Sequence, residues 1–61
     1  MLFDKNGKQI TNHGNIRFPE TGLTVPVLYG EDDNLWVIID GRYLPLTIWD
    51  TTKLEFIENP F

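Results

Sequence analysis

The stretch that decides the fold is WVIIDGRYLPLTIW, residues 36–49. At its centre, Asp40-Gly41 favours a type I′ turn, because that turn requires positive φ at both central residues. The turn sets a register in which Pro45 falls opposite Trp36, at a position where its missing N–H breaks no hydrogen bond to the neighbouring strand. The stretch therefore predicts a β-hairpin whose second strand has no partner on its far side. The predicted cross-strand pairs are Ile39 with Arg42, Ile38 with Tyr43, Val37 with Leu44, Trp36 with Pro45, and Leu35 with Leu46.

Strand alternation divides this hairpin into two faces, and both are apolar. The first face is aliphatic and is the expected core face; it holds Leu35, Val37, Ile39, Leu44, Leu46 and Ile48. The second face is rich in aromatic residues and proline; it holds Trp36, Ile38, Tyr43, Pro45, Thr47 and Trp49. Large aromatic side chains exposed to water are unfavourable and promote aggregation, so the second face needs a cover. Three covers are open: the chain itself, through its N-terminal hairpin, the turn at Asp50 or Phe61; a second copy in a homodimer; or another protein.

A second hairpin is predicted at the N-terminus, where Asn6-Gly7 is also a type I′ signal. A turn centred there pairs Lys5 with Lys8 and Phe3 with Ile10. We expect Phe3 and Ile10 to enter the core.

The rest of the chain reads as short strands separated by turns. A short strand over residues 16–18 ends at Pro19. Residues 23–29 alternate, with Leu23, Val25, Val27 and Tyr29 on one face, and Pro26 indicates an edge strand or a bulge. We expect an exposed acidic loop over 30–34, a helical turn capped by Asp50 over 50–53, and a last strand over 54–58.

These elements predict an all-β single domain spanning residues 1–61: a small five- or six-stranded bent sheet or partly open SH3-like barrel. The likeness to SH3 barrels rests on the Leu28-Tyr29 pair, the G-x-Y-x-P pattern at 41–45, and a turn before the final strand. The loop between Tyr29 and Trp36 is much shorter than in an SH3 domain, and the terminal polar-aromatic pair is absent. The likeness is therefore one of architecture and not of family.

Composition narrows the function classes. The 61 residues include no cysteine, nine acidic residues and five scattered basic ones, for a net charge of −4. Without a basic stripe we expect no direct nucleic-acid binding, and without a long apolar run no membrane binding. His13 is a lone loop histidine, and Glu31-Asp32-Asp33 lacks the spacing of a cation-binding loop. We therefore expect no catalytic residue, no metal and no cofactor, and a cytoplasmic location.

The sequence thus favours a non-catalytic protein-interaction module that binds itself or a partner protein. The expected interaction residues are Trp36, Ile38, Tyr43, Pro45 and Trp49. Two alternatives remain: an acidic inhibitor that mimics nucleic acid through the 30–34 loop and Asp50, Glu55 and Glu58, or a structural subunit of a larger assembly.

Overall fold

Five antiparallel strands form one bent, unclosed sheet in the computed structural model, which describes residues 1–60. In chain order the elements are β1 (Gly14–Arg17), β2 (Thr24–Tyr29), β3 (Leu35–Ile39), β4 (Arg42–Pro45), two short 3₁₀ helices (Leu46–Ile48 and Thr51–Lys53) and β5 (Glu55–Glu58). Across the sheet the order is β4-β3-β2-β1-β5. The predicted all-β class and the five-stranded, partly open arrangement are confirmed. Within the described residues, no helix is long and apolar enough to cross a lipid bilayer.

The hairpin that joins β3 and β4 has the predicted turn. Asp40 and Gly41 both have positive φ, 52° and 75°. The four pairs from Ile39–Arg42 to Trp36–Pro45 form as predicted, and β4 is an edge strand. The fifth predicted pair is wrong, because β4 ends at Pro45 and Leu46 begins a 3₁₀ helix instead of facing Leu35.

Strand β2 occupies the centre of the sheet, so the edge position predicted from Pro26 is wrong. The first half of β2, residues 24–26, pairs with β1, and the second half, residues 27–29, pairs with β3. Pro26 is the last residue of the first ladder, and Val27 is the first residue of the second. The proline, which has no N–H to donate, thus lies where the strand changes partner.

The N-terminal segment makes a shifted hairpin with a longer loop in place of the predicted one. Gly7 has a φ of 76°, its N–H donates to the carbonyl of Asp4, and Phe3 bridges Gln9. This is a turn followed by a left-handed glycine, which makes the loop one residue longer than a type I′ turn. The predicted Phe3–Ile10 and Lys5–Lys8 pairs are wrong. A one-residue shift reverses the face of a strand, so Phe3 is exposed while Ile10 stays buried.

A buried carboxylate ties this hairpin to the last strand. Asp4 is only 3% exposed, and its Oδ1 accepts from the backbone N–H groups of Asn6 and Lys8, both at 2.8 Å. Its Oδ2 accepts from the backbone N–H of Phe56 at 2.9 Å. Burial by itself raises the pKa of Asp4, but the N–H donors of Phe56, Lys8 and Asn6 together hold the pKa below its ordinary value of 3.8.

The core lies on the concave side of the sheet and collects residues from every strand except β4. Leu44 of β4 packs against it while remaining partly exposed. The turn after Trp49 follows the prediction, because the Asp50 side chain accepts from the backbone N–H of Thr52 at 3.1 Å. The buried apolar residues are Ile10, Ile16, Val25, Val27, Val37, Leu46, Leu54 and Phe56.

Candidate protein-interaction surface

The outer side of the sheet carries a continuous row of apolar side chains. Residues paired across antiparallel strands point to the same side, so Leu28, Trp36 and Pro45 form one row across β2, β3 and β4. Ile38 and Tyr43 form the next row. The intervening residue, Val37, points the other way and is fully buried. We call the set Leu28, Trp36, Ile38, Tyr43 and Pro45 the outer patch.

The outer patch is separate from the core. The partly buried apolar residues that pack on the core from the 35–49 stretch are Leu35, Ile39, Leu44 and Trp49. Tyr43, by contrast, is 65% exposed. The two-faced interpretation of the hairpin therefore holds for β3 and β4 themselves, and it places Trp36, Ile38, Tyr43 and Pro45 together.

Trp49 does not belong to that face. The 3₁₀ helix at 46–48 replaces the two-residue period of a strand with a three-residue period, so Trp49 follows Leu46 to the core side. There its ring meets the ring of Phe18 edge to face, with centroids 5.2 Å apart. Ile48, expected in the core, is 57% exposed for the same reason. Both placements were wrong because the predicted strand was extended past Pro45, where β4 ends.

Trp36 is held in place by the acidic loop that precedes it. Its Nε1 donates to Oδ1 of Asp32 at 3.0 Å, and the same oxygen accepts from the backbone N–H of Asn34 at 3.2 Å. Gly30 lies directly against the indole, where a Cβ atom would overlap the ring. The bonds from Trp36 and Asn34 lower the pKa of Asp32. The indole is therefore held by a hydrogen bond on one edge and is packed against the backbone of Gly30.

A groove of about 430 Å³ opens beside this indole. Its size falls within the usual range of ligand sites. Two exposed tyrosines, Tyr29 and Tyr43, line it together with the loop carboxylates. We call it the Trp36 groove; its lining residues are Leu28, Tyr29, Gly30, Glu31, Asp32, Trp36 and Tyr43.

Sequence reasoning missed the contributions of Leu28, Tyr29 and Asp32 to this site. Tyr29 lies on the face of Val25 and Val27, as predicted, where it pairs with Leu35, and from the end of β2 it also borders the groove. The short loop over 30–34 was the sequence feature that could have indicated these contributions. A connection of that length favours direct pairing of β2 with β3, which brings Leu28 opposite Trp36.

Neither the N-terminal hairpin nor the Asp50 turn covers the outer patch. The hairpin is bonded to β5, and its neighbours in the 35–49 stretch are Leu35 and Thr47, which do not belong to the outer patch. Asp50 lines a separate cavity of about 420 Å³ beside Phe18 and Trp49. Phe61, the third segment considered as a cover, lies outside the described residues.

The other candidate sites can be located as well. His13 and the loop residues Glu31, Asp32 and Asp33 are exposed. Across residues 1–60, no group of three or more His, Cys, Asp or Glu side chains is arranged to hold a metal ion. Glu55, one of the carboxylates of the nucleic-acid-mimic hypothesis, is paired with Arg17 at 3.3 Å.

Comparison with known proteins adds no relative from which a role can be taken. The chain matches no protein-family model, no curated protein and no solved structure. Its function has to be argued from the geometry of the outer patch and the Trp36 groove.

Proposed function

We propose that this chain is a non-catalytic protein-interaction module that docks another protein on the outer patch. The observation that carries the proposal is the apolar row of Leu28, Trp36 and Pro45 across three strands, on the side of the sheet away from the core. Interface cores are enriched in tryptophan and tyrosine and poor in charge, and this row with Tyr43 has that composition.

The preorganised indole supports the same proposal. Binding is weakened by the conformational entropy lost when side chains are ordered at an interface. Trp36 is already ordered by Asp32 and Gly30 in the free chain, so little of that loss falls on it. Binding hot spots are enriched in tryptophan, and a tryptophan that is ordered before binding loses less conformational entropy.

A different protein is favoured over a second copy of this chain. In a two-fold dimer the same patch of each copy forms the interface, so the acidic loop that borders the outer patch lies at or near the interface in both copies. Like charges facing each other across an interface are unfavourable, and this chain carries a net charge of −4.

Affinity capture from the native host tests the proposal. Wild type, Tyr43→Ala and Phe3→Ala are used as baits; the last removes an exposed aromatic residue outside the outer patch. We expect a protein that is retained by wild type and Phe3→Ala and lost with Tyr43→Ala. Equal capture by all three baits, or light scattering that shows wild type to be a dimer split by Tyr43→Ala, would contradict docking of a different protein.

A further inference from the structure

The Trp36 groove is lined by both aromatic and negatively charged residues. Glu31 and Asp32 line it, and none of its described lining residues is basic. The nearest basic residue in sequence on the hairpin, Arg42, pairs with Ile39 and therefore belongs to the opposite face of β4. The carboxylates of Glu31 and Asp32 therefore have no positively charged side chain beside them among the described lining residues of the groove.

Asp32 retains acceptor capacity after it has bound the indole. Its hydrogen bonds from Trp36 and Asn34 both end on Oδ1. Within residues 1–60, no hydrogen bond to its Oδ2 is found. Glu31 is exposed beside it. The groove therefore presents carboxylate oxygens next to the hydrogen-bonded indole, with Tyr29 and Tyr43 also in its lining.

Such a groove selects its occupant by charge and shape. A cation over the face of an aromatic ring is attracted by the ring quadrupole, most strongly for tryptophan. An anionic group would be repelled by Glu31 and Asp32. A purely apolar group would fill the groove while shielding these carboxylates from water, which is unfavourable without a partner for them.

On these grounds, and building on the proposed function, we propose that the Trp36 groove receives an arginine side chain from an extended segment of the partner protein. Arginine suits the groove better than lysine, because its planar guanidinium both stacks on aromatic rings and forms paired hydrogen bonds with carboxylates. The guanidinium lies against Trp36 and Tyr43, and its N–H groups donate to Glu31 and Asp32. The adjoining apolar residues of the segment cover the rest of the outer patch.

A library of random peptides displayed on phage, selected on the wild-type chain, tests this inference. The selected peptides are then synthesised, along with copies in which arginine is replaced by neutral citrulline of nearly the same shape. We expect the selected peptides to share an arginine and to shift the NMR signal of the Trp36 indole N–H. The citrulline copies should bind about tenfold more weakly or worse, because they lose both the cation–ring attraction and the charged hydrogen bonds.

Variants of the chain complete the test. Glu31→Gln, in an exposed loop, should weaken the binding of arginine-containing peptides while leaving the fold intact. Phe3→Ala should bind these peptides with the affinity of wild type. Higher salt should also lower the affinity. Two results would overturn this inference and leave the proposed function standing. One is a set of selected peptides that shift the NMR signal of the Trp36 indole N–H but contain no arginine. The other is equal affinity of the arginine peptides and their citrulline copies. Failure to select any peptide that shifts Trp36 or requires Tyr43 would overturn both.

Discussion

Replacing Asp4 with asparagine should remove a large part of the stability of this chain. The carboxylate is buried and receives three backbone N–H groups, two on Oδ1 and that of Phe56 on Oδ2. Asparagine keeps its shape but has one acceptor oxygen. If that oxygen stays with Asn6 and Lys8, the amide NH₂ must face the N–H of Phe56, and two donors then oppose each other in a buried place.

The size of the effect follows from these contacts. A hydrogen bond to a charged group contributes about 1.5–3 kcal/mol, and an unsatisfied buried donor costs about 1–3 kcal/mol. Since these overlap at one site, we expect Asp4→Asn to lower the free energy of unfolding by about 2–4 kcal/mol. A chain of 61 residues has a total stability of about 3–9 kcal/mol, so this loss is a large fraction of the total.

Urea denaturation followed by tryptophan fluorescence at neutral pH measures the change. Asp50→Asn is the matched control, because Asp50 is an exposed cap and asparagine caps as well as aspartate; its midpoint should stay near that of wild type. The midpoint of Asp4→Asn should fall without a change in the denaturant slope. A loss below about 1 kcal/mol would refute the view that Asp4 secures the N-terminal hairpin to β5.

The same carboxylate makes stability depend on pH. The pKa of Asp4 is lower in the folded chain than its ordinary value of 3.8. The unfolded chain therefore binds the proton first, so the stabilisation is complete above 3.8 and is lost as the pH falls through the lower folded pKa. Asp4→Asn should be less stable than wild type at neutral pH and should show a shallower loss of stability in acid.

Four further substitutions test the packing described above. Gly30→Ala should push the indole of Trp36 off its support, and faster exchange of the indole N–H with solvent would report it. Gly14→Ala should lower stability by about 1–3 kcal/mol, because its Cβ would overlap the backbone of β5; an unchanged urea midpoint would contradict that close approach. Leu46→Ala should cost about 2–5 kcal/mol, while Ile48→Ala should stay within about 0.5 kcal/mol; equal losses in thermal melts would mean that the 3₁₀ helix at 46–48 is wrong.

The features predicted correctly are those governed by local chemistry. Asp40-Gly41 determines the conformation of a two-residue turn by itself, and the turn determines the pairing from Ile39–Arg42 to Trp36–Pro45. The capping of Thr52 by Asp50 likewise involves neighbouring residues only. These interactions could be read from short windows of sequence.

The errors arose where distant residues decide the conformation. The loop at Asn6-Gly7 is one residue longer than the predicted type I′ turn. The Asp4 side chain caps this loop and also accepts from the backbone N–H of Phe56, which is 52 residues away along the chain. Pro26 was taken to indicate an edge strand or a bulge, because the sequence does not show that one strand pairs with two partners in succession. The residues of the outer patch on β3 and β4 were therefore predicted. The residues that β2 adds to the outer patch and to the Trp36 groove were missed, because the pairing of β2 with β3 was not predicted.

That division of β2 also governs how the chain can come apart. The first three residues of β2 pair with β1 and its last three pair with β3. The half of the sheet formed with β1 and the half formed with β3 therefore share β2, and each depends on the other to keep this strand extended. The side chains of both halves, such as Ile16 and Val37, enter the same core. We therefore expect neither half to fold by itself and the molecule to unfold as one cooperative unit, in which loosening one end removes support from the other.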